Sequence, residues 1–262
     1  FAATPAFAGK GGSNGKIVAA VNSGSVDAIV AEVERAEGLV CPDCMTTMVS
    51  LLDDDRFAVR EVAAWWIAKR PGAKNKLATQ FKAELATADS INVRNAADFL
   101  GRVRQFDALP QFRTAIARTD LSAEAKVAIV RAVGYMAHID GNSVLLTALN
   151  DGEASVRAAA VGAWRELLGQ VDVKPLVPRL SDSDAKVRAA AANVIGVYRE
   201  ASARVTLEQL VTTDADPFVR RNSAWALGRI GSTESAAALR TASNDKSGIV
   251  RGFASAALAS LK

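Results

Sequence analysis

A small apolar residue followed by a basic one returns seven times along this chain at a nearly constant interval. The basic residues are Arg60, Arg94, Lys126, Arg157, Arg188, Arg220 and Arg251, spaced 34, 32, 31, 31, 32 and 31 residues apart. Counted from each of them, position −1 holds Val59, Val93, Ala125, Val156, Val187, Val219 and Val250. Position +3 holds Ala63, Ala97, Ile129, Ala160, Ala191, Ser223 and Ala254, and position +7 holds Ile67, Gly101, Val133, Trp164, Ile195, Leu227 and Leu258. Steps of four drift only slowly round a helix axis, so −1, +3 and +7 make one apolar stripe on each of seven helices. The small residues at +3 leave room for a neighbouring helix, and Gly134, Gly196 and Gly228 at +8 suit helix ends. The spacing predicts these helices, here called B, over 55–69, 90–104, 122–137, 153–168, 184–198, 216–230 and 247–261.

Shorter amphipathic segments lie between them: "VLLTALND" at 144–151, "VKPLVPRLSD" at 173–182, "VTLEQLVTTD" at 205–214 and "SAAALRTASND" at 235–245. Each runs into Asp, Ser or Asn, residues that cap a following helix. The unit is therefore a helix A, a tight turn and a helix B. One such pair cannot bury its apolar face alone, and stacking on neighbours does so. Half the residues are hydrophobic and only 6% aromatic, a core of Ala, Val and Leu that suits close-packed helices better than a sheet. The expected fold is all-α: a right-handed α-solenoid of about seven helix pairs over 25–262, with 25–38 forming an irregular helix that caps the first repeat.

The 31-residue unit with D-x-x-V-R, small residues and a terminal Gly resembles the HEAT-like repeats of the phycobilisome lyase type, over residues 40–262. Asp216–Arg220 and Asp184–Arg188 carry the acid and base of that pattern, Glu153–Arg157 has Glu for Asp, and Ser90, Ser122 and Ser247 replace the acid elsewhere. The resemblance implies the fold. It leaves function wide, since such repeats serve lyase subunits, hydroxylases, DNA glycosylases and pure scaffolds.

The chain starts differently. In "FAATPAFAGKGGSNGK", small residues at Ala6 and Ala8 precede a polar segment, the pattern of a secretory cleavage site. Residues 1–8 read as the remnant of a signal peptide and 9–24 as a flexible lead-in, with a disordered Ala-rich tail as the alternative. The expected location is the bacterial periplasm or exterior. No apolar run approaches the ~18–20 residues that span a bilayer. A net charge of +4 spread over 262 residues is weak ground for nucleic-acid binding.

Few residues offer chemistry. Arg60, Arg94, Lys126, Arg157, Arg188, Arg220 and Arg251 form a ladder that could grip phosphate. The structural alternative pairs each with the acid four residues earlier and with groups of the next repeat; the near absence of further basic residues at +1 and +2 favours it. Cys41 and Cys44, the only cysteines, stand in "VCPDCM" with Pro42 at the first helical position. A local disulfide is the default in an oxidising compartment; a redox-active pair and a metal half-site are the alternatives, though zinc would want two further soft ligands. Met45 stands where c-type haem attachment needs His. His138, the single histidine, suits a capping or surface role, and it excludes the paired His-Glu iron sites of the deoxyhypusine hydroxylases, whose repeats are similar. "LLDDDR" at 51–56 lacks the spacing of a calcium loop. No catalytic residue, cofactor or metal is expected.

The sequence thus reads as a protein-binding or assembly scaffold. A lyase-like subunit that delivers a tetrapyrrole, or a thiol–disulfide protein using Cys41 and Cys44, are the alternatives. In such stacks the B helices line the concave side, which makes Trp65, Phe99, Arg131, Asn193, Arg221, Asn222 and Trp225 the candidate partner contacts. Against this, lone aromatics on Ala-rich helices usually pack inward, so Trp65 and Trp225 could be gap fillers.

Overall fold

The computed structural model describes residues 14–38 and 41–261, which are helical with no strand among them. They divide into two compact units, one ending at Met136 and one starting at Ala137. The first contains α1 (Asn14–Ser23), α2 (Val26–Arg35), α3 (Pro42–Leu51), α4 (Phe57–Ala68), α5 (Pro71–Thr87), α6 (Ser90–Arg102), α7 (Leu109–Ile116) and α8 (Ala123–Met136). Here the B helices α2, α4, α6 and α8 pack in series, while α1 packs on α3 and α5 on α7. The second unit contains α9 (Asn142–Ala148), α10 (Ala154–Trp164), a 3-10 helix over Lys174–Ser181, α11 (Ala185–Tyr198), α12 (Arg204–Thr213), α13 (Pro217–Ile230), α14 (Ala236–Ala242) and α15 (Gly248–Ser260). Its B helices α10, α11, α13 and α15 pack in series likewise.

The repeat stripe is the core. All residues at −1, +3 and +7 are buried except Leu258, on the last helix, which is half-buried. An all-α solenoid follows, each B helix flooring the next within its unit.

Four details depart from the sequence reading. A regular pair, α1 and α2, precedes the seven repeats: Ile17 of α1 and Ile29 and Val33 of α2 are fully buried. Residues 14–23 are therefore helical, where the Gly/Ser/Asn content of 9–24 suggests a lead-in, because Ile17 and Ala20 lie one helical turn apart and share a buried face. The signal-peptide reading of 1–8 and the start of that lead-in lie outside the described residues. Segment 174–181 is a 3-10 helix, since Pro175 and Pro178 lack the N–H groups an α-helix would use. Helix α10 stops at Trp164, short of 168, where the buried Trp164 indole donates to the Asp172 carbonyl at 2.9 Å and ties down the following loop.

The glycines near +8 do not end helices. A Cβ on Gly196 would sit 2.5 Å from the Trp225 ring, and one on Gly228 would sit 2.8 Å from Ala257. Gly101, at +7, would meet the Ala132 backbone at 2.5 Å. These positions let adjacent B helices touch, and the chain turns out of the helix later. Arg104, Ala137, Arg199 and Gly231 do so with positive φ of 50–78°, the left-handed stop that only Gly adopts without cost.

Candidate functional site

The arginine ladder is internal. In the second unit Arg157 Nε and Nη2 grip the Asp182 carboxylate at 2.8 and 2.7 Å. Arg188 grips Asp214 at 2.7 and 2.9 Å, and Arg220 grips Asp245 at 2.7 and 2.9 Å. The remaining guanidinium nitrogen, Nη1, donates to the carbonyls five and six residues earlier: Asp151 and Gly152 for Arg157, Asp182 and Ser183 for Arg188, Asp214 and Ala215 for Arg220, Asp245 and Lys246 for Arg251. Asp182, Asp214 and Asp245 thus each join two repeats, holding one arginine by the side chain and the next by the backbone. Each also accepts the N–H two residues on.

The acid of D-x-x-V-R has another job. Asp184 accepts the N–H groups of Lys186 and Val187, and Asp216 those of Phe218 and Val219. Both are N-caps, not the ion-pair partners of Arg188 and Arg220. Burial pushes the Asp214 and Asp182 carboxyls up, but the guanidinium and backbone N–H bonds outweigh it and leave both below the usual carboxylate range. Asp245 is lowered chiefly by Arg220.

In the first unit the ladder is re-routed. Arg60 caps the Asp54 and Asp55 carbonyls and grips Asp98, a carboxylate only 3% exposed that Arg131 also grips from the other side. Arg94 meets Asn95, Glu124 and Asp55. The acidic run at 53–55 is used up in this way: Asp53 accepts from Asn95, and Asp54 is held by Arg56. Among the described residues no three His, Cys, Asp or Glu side chains converge to hold a metal ion. His138 caps the turn at Asp140.

Two concavities lie on the B-helix faces. The smaller, about 270 Å³, is in the first unit beside Trp65, Glu61 and Arg102. The larger, about 550 Å³, lies in the second unit between the C-terminal halves of α13 and α15, lined by Trp225, Phe253, Arg229, Ala256 and by Arg199 from the end of α11. Arg221 stacks on its rim, 5.4 Å from the Phe218 ring and 5.7 Å from that of Phe253.

This architecture has counterparts. A family model described as HEAT repeats matches residues 173–259. The crystal structure of Escherichia coli YibA aligns over 94% of this chain and 92% of its own, with TM-score 0.62 and 13% identity. Kap95 in its complex with Nup1 aligns over 95% of this chain and 40% of its own, with TM-score 0.64 and 14% identity. The chain has a HEAT-like repeat fold. An engineered protein shares the arrangement over 94% of this chain and 77% of its own, with TM-score 0.51 and 19% identity. No curated protein matches by sequence.

On the HEAT-like frame, the predicted contact residues separate. Phe99 is no surface residue: it is 1% exposed, its ring 5.0 Å from that of Phe81, because α5 covers the face of α6 that the register left open. Arg131 is committed to Asp98 and lies over the Phe57 ring at 4.1 Å. Asn222 donates to the Ala189 carbonyl of the preceding repeat at 2.8 Å, and Asn193 is half-buried. Trp65 is half-buried with the Lys69 ammonium 4.8 Å above its ring. Trp225 takes both roles weighed for it, one edge against Gly196 and the rest lining the larger cleft. Cys41 and Cys44 are at disulfide distance, their Cα atoms 5.1 Å apart at the start of α3, and Cys44 is fully buried.

Sequence reasoning missed Asp98, Asp182, Asp214, Asp245, Arg199 and Arg229. For three of these a signal existed. Asp182-x-Asp184, Asp214-x-Asp216 and Asp245-x-Ser247 recur in register with the Val-Arg pairs.

Proposed function

We propose that this HEAT-like protein is a non-catalytic scaffold that binds a partner protein through the exposed face of its B helices, after export to the bacterial envelope. Helical-repeat solenoids of this type are typical protein-binding frames. The observation that carries the reading is the exposed group on α13 and α15. Phe218 (55% exposed), Phe253 (38%), half-buried Trp225 and Arg221 stand together there, while the buried arginines Arg157 and Arg220 of the same unit are taken up by the ladder. Aromatic and Arg side chains on a rigid face dominate interface energies. The Ala6-Phe7-Ala8 segment and the Cys41–Cys44 pair support an oxidising compartment. Burial of the Cys44 sulfur supports a staple over thiol exchange.

Affinity capture from the native envelope tests the reading, comparing the wild type with Arg221→Ala. The Arg221 guanidinium bonds only to its neighbour Asn222 and stacks on two rings, so its loss should move the melting temperature by no more than about 2 °C and deplete the partner. Equal capture by the variant, or catalytic turnover by the purified wild type, would contradict the proposal.

A further inference from the structure

We infer that the cleft between α13 and α15 receives an acidic peptide segment of the partner, an apolar side chain flanked by carboxylates; this rests on the scaffold reading above and names the chemistry of its occupant. The observation is an imbalance of charge. Elsewhere in the second unit Arg157, Arg165, Arg179, Arg188, Arg204 and Arg220 each meet a carboxylate; Arg251 donates to backbone carbonyls, and Arg240, on α14, meets no carboxylate among the described residues. Arg199 and Arg229, which line the cleft, meet none at ion-pair distance among the described residues, and Arg221, which stacks on Phe253 of the lining, bonds only the neutral Asn222. The ladder carboxylates Asp182, Asp214 and Asp245 lie at the opposite ends of the B helices, and Glu234, three residues beyond Gly231 of the cleft lining, is held by Arg204. Asp216 and Arg229 are thirteen residues apart on α13, about 20 Å at ~1.5 Å per residue and roughly twice the screening length at physiological salt.

Two opposing contributions must be weighed. The C-termini of α11, α13 and α15 lie at this end, and each carries about half a negative charge. Glu200 follows Arg199 but is turned to the Ser202 N–H, 3.0 Å away. Arg199 and Arg229 nonetheless present two guanidinium groups with no carboxylate partner among the described residues. Its walls supply the second half of the recognition: the Trp225 and Phe253 rings, with Ala256 leaving space between them, form an apolar floor for one side chain. Guanidinium forks on a carboxylate give charge-assisted, directional bonds.

A nucleic-acid strand fits less well. The B-helix faces of α10 and α11 beside the cleft carry Ala158, Ala159, Gly162, Ala189, Ala190 and Asn193, so no basic track continues along which a phosphate backbone could run.

The test is fluorescence anisotropy on the full chain, using a short labelled peptide of Asp and Glu around a central Phe. The same peptide with Lys for the acids and an oligothymidylate of equal charge serve as comparisons. The acidic peptide should bind, weaken about tenfold as ionic strength passes about 0.3 M, and weaken at least about tenfold in Arg199→Gln/Arg229→Gln. Neither side chain makes a structural ion pair, so this double variant should keep the wild-type melting curve. Binding by the Lys peptide, tighter binding of oligothymidylate, unchanged affinity in the folded double variant, or no acidic-peptide binding at all would each overturn the inference. If the acidic peptide fails while Arg221→Ala still depletes the captured partner, the acidic chemistry falls and the scaffold stands. If both fail, both fall.

Discussion

Replacing Asp214 by Ala should destabilise the protein distinctly more than replacing Asp216 by Ala, although Asp216 is the acid of the repeat signature. Asp214 is 5% exposed at its side chain and takes two bonds from Arg188, itself 16% exposed. Removing one partner of a buried pair costs ~3–5 kcal/mol. Arg188 would keep its bonds to the Asp182 and Ser183 carbonyls and retains some access to water, which places the expected loss nearer about 2–3 kcal/mol. Asp216 holds two backbone N–H groups as an N-cap, a role worth ~1 kcal/mol. For a chain of this size the first change should lower Tm by roughly 5–10 °C and the second by roughly 2–4 °C. Urea unfolding with unchanged m-value would give the free energies, and a double-mutant cycle with Arg188→Met would assign the coupling. Equal losses, or coupling of Arg188 to Asp216 in place of Asp214, would refute the ladder.

The same carboxylates make stability depend on pH. Their folded-state pKa values lie below the ordinary value, so their contribution is complete above the unfolded pKa of ~3.9 and is lost as pH falls through the folded values; Tm should be level down to about pH 5 and drop below about pH 4. Gly196→Ala would drive a methyl into the Trp225 ring and the Ala226 backbone, costing about 1–3 kcal/mol and altering Trp225 emission, whereas Gly162→Ala, with open space around it, should be nearly neutral in the same melts. Thiol labelling of the unreduced protein should add nothing, and Cys41→Ser/Cys44→Ser should cost no more than about 2 kcal/mol, because so short a loop removes little chain entropy.

The fold was legible because the apolar stripe is periodic: Val187, Ala191 and Ile195 announce a buried face by spacing alone, and the structure buries them completely. What sits beside the stripe was less legible. Phe99 and Trp225 share position +5, yet α5 covers Phe99 while Trp225 lines a cleft, since the A helix that packs alongside differs in length from repeat to repeat. Arg199 gave no signal because its place depends on where α11 ends, and helix ends follow local backbone choices that periodicity does not encode. The ladder was half legible: Val-Arg marked the donors, but the acceptors lie 25 or 26 residues downstream, beyond any spacing that a single helix imposes.

Hydrogen exchange, measured on the full chain with and without its captured partner, bears most directly on the scaffold account. The account predicts added protection in 217–231 and 248–260, the helices that carry Trp225, Arg229 and Phe253, with α12 and α14 unchanged. Protection confined to α12 and α14, with none on α13 or α15, would contradict it.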